Sequence, residues 1–149
     1  MVQQTYIRAI EILLVDDNPG DVRLAREAMR DSKVWNKISD VRDGEEAMEF
    51  LNKHGQYSDR RTPDLVILDL NMPRKDGREV LAEMRADERF KHIPVVILTT
   101  SAAEEDVLKS YGLHANCYVV KPLDLDRFIE VVKSVEDFWL CMVKLPGLA

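Results

Sequence analysis

The chain has 149 residues, 46% of them apolar and 32% charged, with a formal net charge of −6 and a pI near 5.1. That length is about one domain with a real core, and the balance is that of a globular rather than a disordered protein. The acidic balance argues against sequence-independent attachment to nucleic acid or to an anionic membrane, and no stretch approaches the roughly 20 apolar residues of a membrane span.

Ile10 to Val15 is an apolar run that reads as the first strand, with Asp16 and Asp17 behind it. Asn18-Pro19 has the form of a helix start, Asn18 as cap and Pro19 at the first helical position, and the helix runs to about Asp31. A weaker strand lies near Lys37 to Val41. Asp43-Gly44 breaks it, and Glu45 to His54 is helical, with Ala47, Met48, Phe50 and Leu51 on its apolar side. Gly55 to Pro63 is polar and rich in breakers, so it reads as a loop. Asp64 to Asp69 holds four consecutive apolar residues bounded by Pro63 and by Asn71-Met72-Pro73, the pattern of a strand buried on both faces. After Asp76-Gly77, Glu79 to Ala86 is a short helix. Val95 to Leu98 is the next buried strand and ends at Thr99-Thr100-Ser101. Ala102 to Tyr111 is helical, with Gly112 as C-cap. Cys117 to Val120 is the last strand, closed by Lys121-Pro122. Leu123 to about Leu140 is the last helix, and Cys141 to Ala149 is a tail.

Strand and helix alternate five times without repeats. This predicts an α/β fold of βαβ units: a parallel sheet with helices on both faces, formed by one domain over 1–149 with its core at about 10–140. Right-handed crossovers bring the strand ends to one edge. Met1 to Ala9 has no signal-peptide core, and Cys117 and Cys141 form neither a metal spacing nor a disulfide framework, so a reducing cytoplasm is the expected compartment. The paired bases Arg60-Arg61 and Arg74-Lys75 and the scattered His54, His92 and His114 read as surface residues.

The edge gathers Asp16, Asp17, Asp69, Thr99 and Lys121. Carboxylates that close together repel unless a proton or a cation intervenes. A hard divalent cation such as Mg²⁺ resolves the conflict with one or two carboxylates, waters and phosphate oxygens. A carboxylate can also attack a phosphoryl group to give an acyl phosphate, a transfer that needs mainly positioning and charge neutralisation. Mg²⁺ would serve one side of that group, the Lys121 ammonium another, and the Thr99 hydroxyl a third oxygen.

The chain resembles the receiver domain of two-component response regulators from about Glu11 to Leu140. The matching pieces are Leu-Leu-Val-Asp16-Asp17, Leu-Asp69-Leu-Asn-Met-Pro73 with Asp76-Gly77, Pro94-Val-Val-Ile-Leu-Thr99, and Tyr118-Val-Val-Lys121-Pro122. The resemblance implies a flavodoxin-like (βα)5 fold, a doubly wound five-stranded sheet in the order 2-1-3-4-5. It implies Asp69 as phosphoacceptor, with Mg²⁺ (Mn²⁺ can substitute) held by Asp17, Asp69 and the backbone carbonyl of Asn71, and by Asp16 through water. Thr99 and Lys121 would contact the phosphoryl group, and Thr99 and Tyr118 would form the switch.

Asp76-Gly-Arg-Glu-Val-Leu-Ala-Glu83, Asn116-Cys-Tyr118, Phe138-Trp139-Leu140 and Leu145-Pro146 resemble the small regulators that partner cyanobacterial phytochrome kinases. The implied partner is therefore a sensor histidine kinase of phytochrome type, docking near Asp21, Leu24, Glu27 and Pro122; Leu24 equally suits a core position. The downstream partner is a protein, without direct contact to nucleic acid or membrane, and the chain is a phosphoacceptor rather than a turnover enzyme. Val131, Phe138 and Met142 leave a second apolar stripe on the last helix, beside Tyr111 and Tyr118, which a twofold homodimer would bury. The alternative is a haloacid-dehalogenase-like aspartyl phosphatase. That family resembles Asp-x-Asp, but the second position here is Asn71.

Overall fold

The computed structural model describes residues 9–32, 35–72, 74–101, 103–110, 112–115, 117–121, 126, 129–130 and 133–134. Five strands form one parallel sheet: β1 (Ile10–Val15), β2 (Asn36–Val41), β3 (Leu65–Asp69), β4 (Val95–Thr99) and β5 (Cys117–Val120), in the order β2-β1-β3-β4-β5. This is the doubly wound, flavodoxin-like order. Every residue of β3 and β4 is buried, as their unbroken apolar runs require of strands covered on both faces. Edge strand β2 has four polar residues of six, with Lys37 and Asp40 exposed.

Alternation along the strands sorts the core into two halves. Leu13 and Val15 of β1, Val66 and Leu68 of β3, and Val95 and Ile97 of β4 pack against α2 (Gly44–Leu51), α3 (Gly77–Ala86) and Leu108 of α4 (Ala103–Ser110). Ile12 and Leu14, Leu65 and Ile67, Val96 and Leu98, and Val119 pack against Ala25, Ala28 and Met29 of α1 (Pro19–Arg30). None of the described helices is long and apolar enough to cross a membrane.

Side-chain caps start three helices. Asn18 accepts from the backbone N–H of Gly20 (2.8 Å) and Asp21 (3.2 Å), Asp43 from Glu46 (2.9 Å), and Asp76 from Glu79 (3.1 Å). These caps move two boundaries from their predicted places. Gly44 and Gly77 open α2 and α3 rather than preceding them, because Asp43 and Asp76 each hold the following turn. At the other end α2 stops at Leu51, short of His54, and Lys53 takes a left-handed φ of 58°.

The predicted loop after α2 contains a single 3-10 turn, Gly55–Tyr57. Tyr57 is buried there, its ring centroid 5.1 Å from that of Phe50, and its hydroxyl donates to Glu46 Oε2 at 2.5 Å. His54, His92 and His114 are exposed. In the stretch assigned to the last helix, Asp126, Ile129, Glu130, Lys133 and Ser134 are helical and exposed; Phe128, Val131, Val132, Val135, Phe138, Trp139 and the tail lie outside the described residues.

Candidate functional site

Asp69 is the last residue of β3 and is 1% exposed. Its Oδ1 accepts the backbone N–H of Asn71 at 3.0 Å, and its Oδ2 lies 3.0 Å from Lys121 Nζ. Lys121 follows β5, and its own N–H donates to the Thr99 carbonyl, so the lysine is tied to the end of β4. The ammonium also faces Asp21 Oδ2 at 2.8 Å and Asp16 Oδ2 at 3.7 Å. Gly77, at the start of α3, passes so close that a Cβ there would sit 2.4 Å from the Asp69 carbonyl oxygen. Only glycine allows that approach.

Asp16 is 1% exposed; its Oδ1 accepts from the Asn18 N–H at 2.9 Å, while its Oδ2 is buried without a hydrogen bond. Burial, chiefly, pushes the Asp16 carboxyl up to about 7; the Asn18 hydrogen bond and the Lys121 charge work against this, and the Asp69 charge adds to it. Burial alone would lower the Lys121 pKa. Its close pairing with Asp21 and its hydrogen bond to Asp69, with the charges of Asp16 and Asp69, outweigh that and raise it above the ordinary ammonium range. Ligand atoms of Asp16, Asp17 and Asp69 lie within 4.8 Å of one another, with Asp17 exposed at the rim. An all-carboxylate donor set, one oxygen of which is buried and unbonded, fits a hard divalent cation.

Thr99 ends β4 and is fully buried. Its hydroxyl is held by Glu104, an α4 residue that sequence reasoning did not single out. Thr99 Oγ1 donates to Glu104 Oε1 at 2.7 Å, and Thr100 Oγ1 (3.2 Å) and Asn71 Nδ2 (3.5 Å) approach the same oxygen. Arg78 pairs with Glu104 Oε2 at 2.6 Å. Burial would raise the Glu104 pKa, but the hydrogen bonds from Thr99, Asn71 and Thr100 and the Arg78 charge bring it below the ordinary carboxylate value. Glu104 sits in the run Glu104-Glu105-Asp106 at the first turn of α4, and nothing in that run marks which acid turns back to the sheet. Tyr118 aligns with Ile97 in the sheet and packs against the α2–α3 half of the core, its hydroxyl buried without a hydrogen bond.

A buried aspartate thus ends the third strand, an acidic pair follows the first, and a lysine behind the fifth reaches the aspartate. The response regulator receiver domain family matches residues 12–133. The chain belongs to this family. Response regulator Rcp1 of Synechocystis is 47% identical over 136 residues, which cover 91% of this receiver and 92% of Rcp1. The crystal structure of the phosphorylated cyanobacterial phytochrome response regulator RcpA is 49% identical, with a TM-score of 0.78, covering 89% of this receiver and 95% of RcpA. The Mn²⁺-bound form of Rcp1 is 46% identical with a TM-score of 0.76, covering 88% and 94%.

These matches give no support to the phosphatase alternative. The side chain at its acid/base position, Asn71, is an amide that bonds Thr100. Of the four residues assigned to kinase docking, the receiver exposes Glu27, packs Leu24 partly against the α1 half of the core, and turns Asp21 into the site, onto Lys121. Asp21 is therefore a fourth acid of the pocket, whatever else it contacts. Pro122 and the dimer residues Tyr111, Val131, Phe138 and Met142 lie outside the described residues.

Proposed function

We propose that this receiver is a phosphorylation switch in which Asp69 takes the phosphoryl group from a phosphohistidine of a sensor histidine kinase. A carboxylate oxygen of Asp69 attacks phosphorus, the N–P bond to the histidine breaks, and an acyl phosphate forms. The observation that carries this reading is the Asp69 carboxylate itself: buried, held by the Asn71 N–H on one oxygen and by Lys121 on the other, and grouped with Asp16 and Asp17. The Lys121 ammonium offsets charge on the incoming group, and the Thr99 hydroxyl donates to one of its oxygens. Mg²⁺, or Mn²⁺ in its place, would be held by Asp16, Asp17, Asp69 and the Asn71 carbonyl, and supplies neutralisation of the phosphoryl oxygens. The orphaned Asp16 Oδ2 supports a cation in this position.

Likeness to RcpA and Rcp1 supports a kinase of phytochrome type as donor. In this reading 1–149 is a single cytoplasmic domain that turns over no separate substrate and signals by protein contact. The kinase docks near Asp21, Leu24, Glu27 and Pro122. The apolar stripe Val131, Phe138 and Met142, with Tyr111, joins two copies, and Phe138→Asp with Val131→Lys would give a monomer by analytical ultracentrifugation.

Acetyl phosphate tests the central claim. With Mg²⁺ present, the wild type should take up label on Asp69 and Asp69→Asn should take up none. Label at the wild-type rate in that variant would overturn the assignment.

A further inference from the structure

The hydroxyl of Thr99 carries one proton. It is given to Glu104 Oε1 at 2.7 Å, with the Ser101 carbonyl a weaker competitor at 3.1 Å. A hydrogen bond to an ionised carboxylate is of the strong, charge-assisted kind. Glu104 is itself fixed: Arg78 holds its other oxygen, and Thr100 and Asn71 approach the first. Arg78 is placed by the N-terminal turn of α3, where its guanidinium also stands 3.8 Å from the capping residue Asp76. The chain of contacts Asp76–Arg78–Glu104–Thr99 thus runs from the start of α3 across to the end of β4. Tyr118 packs against the α2–α3 half of the core with its hydroxyl buried and unbonded, so it is Glu104 rather than Tyr118 that hydrogen-bonds the Thr99 hydroxyl.

We propose that Glu104 is a positioning residue that latches the unphosphorylated state, competing with the phosphoryl group for the Thr99 hydroxyl. This rests on the reading of Asp69 as acceptor. The competition is direct, because one proton cannot serve the Glu104 carboxylate and a phosphoryl oxygen at once. It is also electrostatic, because a second anion brought to Asp69 repels the carboxylate. Occupation of Asp69 therefore expels Glu104 from Thr99 and frees Arg78, and by reciprocity any change that loosens Glu104 favours occupation of Asp69. Glu104 lies in the first turn of α4, so the event is passed to the surface by a residue of α4 itself.

Beryllofluoride, a phosphoryl mimic, is the probe, measured by calorimetry on the full chain with saturating Mg²⁺. Glu104→Ala should bind it about five-fold tighter or more than the wild type, the lower end of ordinary coupling between sites. Glu104→Gln keeps the length and loses the charge, and should fall between; it also stands in should the alanine variant fail to fold. In a Thr99→Val background, where there is no hydroxyl to compete for, Glu104→Ala or Glu104→Gln should lose most of that gain. A purely structural role would lower the melting temperature without tightening the mimic. Binding that depends on Asp69 but is unchanged or weaker in both Glu104 variants overturns the latch alone. No binding to the wild type, or binding that survives Asp69→Asn, overturns the acceptor reading and the latch with it.

Discussion

Asp21 Oδ2 lies 2.8 Å from Lys121 Nζ, slightly nearer than Asp69 Oδ2 at 3.0 Å. The ammonium that would face a phosphoryl group on Asp69 is therefore shared with an acid of α1. Asp21→Asn removes one claim on it and one negative charge from the pocket. Labelling by acetyl phosphate, a donor with no docking surface, should become about five-fold faster, the equivalent of about 1 kcal/mol for such a pair. An unchanged rate with acetyl phosphate and an altered rate with kinase would leave Asp21 a docking residue only.

Asp17 is exposed at the rim and contributes nothing to the core. Asp17→Ala should leave thermal stability without cation within about 0.5 kcal/mol of wild type, as surface changes usually do. The same variant should lose most of its Mg²⁺ affinity, titrated by calorimetry. Wild-type affinity in a folded Asp17→Ala protein removes that residue from the ligand set.

Gly77 is held against the end of β3, where a Cβ would sit 2.4 Å from the Asp69 carbonyl oxygen and 2.7 Å from Leu70 Cα. Both obstacles are backbone, which cannot swing aside like a side chain. Gly77→Ala should cost about 1–3 kcal/mol, the usual range for overpacking, and slow phosphorylation as Asp69 shifts. Urea unfolding gives the first and acetyl phosphate labelling the second. An unmoved urea midpoint would show that the approach is looser than described.

Tyr57 supplies a pH test away from the site. Burial first, then its hydrogen bond to Glu46 and that carboxylate's charge, raise the phenol from 10.0 to about 12. The folded chain therefore holds this proton more tightly than the unfolded chain. The contribution is complete below pH 10 and is lost as pH rises from about 10 to about 12. Tyr57→Phe should be less stable than wild type at neutral pH, and the gap should narrow across that alkaline range. A constant gap in urea unfolding would dismiss the Glu46 contact as a source of stability.

Much of the fold could be read from periodicity, because β3 and β4 are unbroken apolar runs and a parallel sheet follows from their alternation with helices. Asp69, Lys121 and the acidic pair were visible because each stands at the end of such a run. The Glu104–Thr99 bond was not, since it depends on which of three successive acids faces the sheet, a matter of helix phase and of Arg78 arriving from another element. The Asp21–Lys121 contact is hidden in the same way, because its two residues stand 100 positions apart in the chain. Helix ends were legible to within a few residues. The stop at Leu51 is followed by a left-handed Lys53 where a glycine would have announced it, and the burial of Tyr57 comes from Phe50 and Glu46 rather than from its own polar segment.

The alternation of β1, β3 and β4 between two halves of the core has a consequence for how such a protein can change over generations. Val66 and Leu68 answer to α2 and α3, while Leu65 and Ile67 answer to α1, and the sheet stands between them as a wall. Substitutions on opposite sides share few neighbours, so their effects on stability add rather than compound. The core-facing residues of α1, Ala25, Ala28 and Met29, can drift one conservative step at a time without disturbing the packing that seats the Glu104–Arg78 contact on the other side, while Asp21 on the same helix stays tied to Lys121. A lineage can thus diversify one side of the molecule while the other is left as it was inherited.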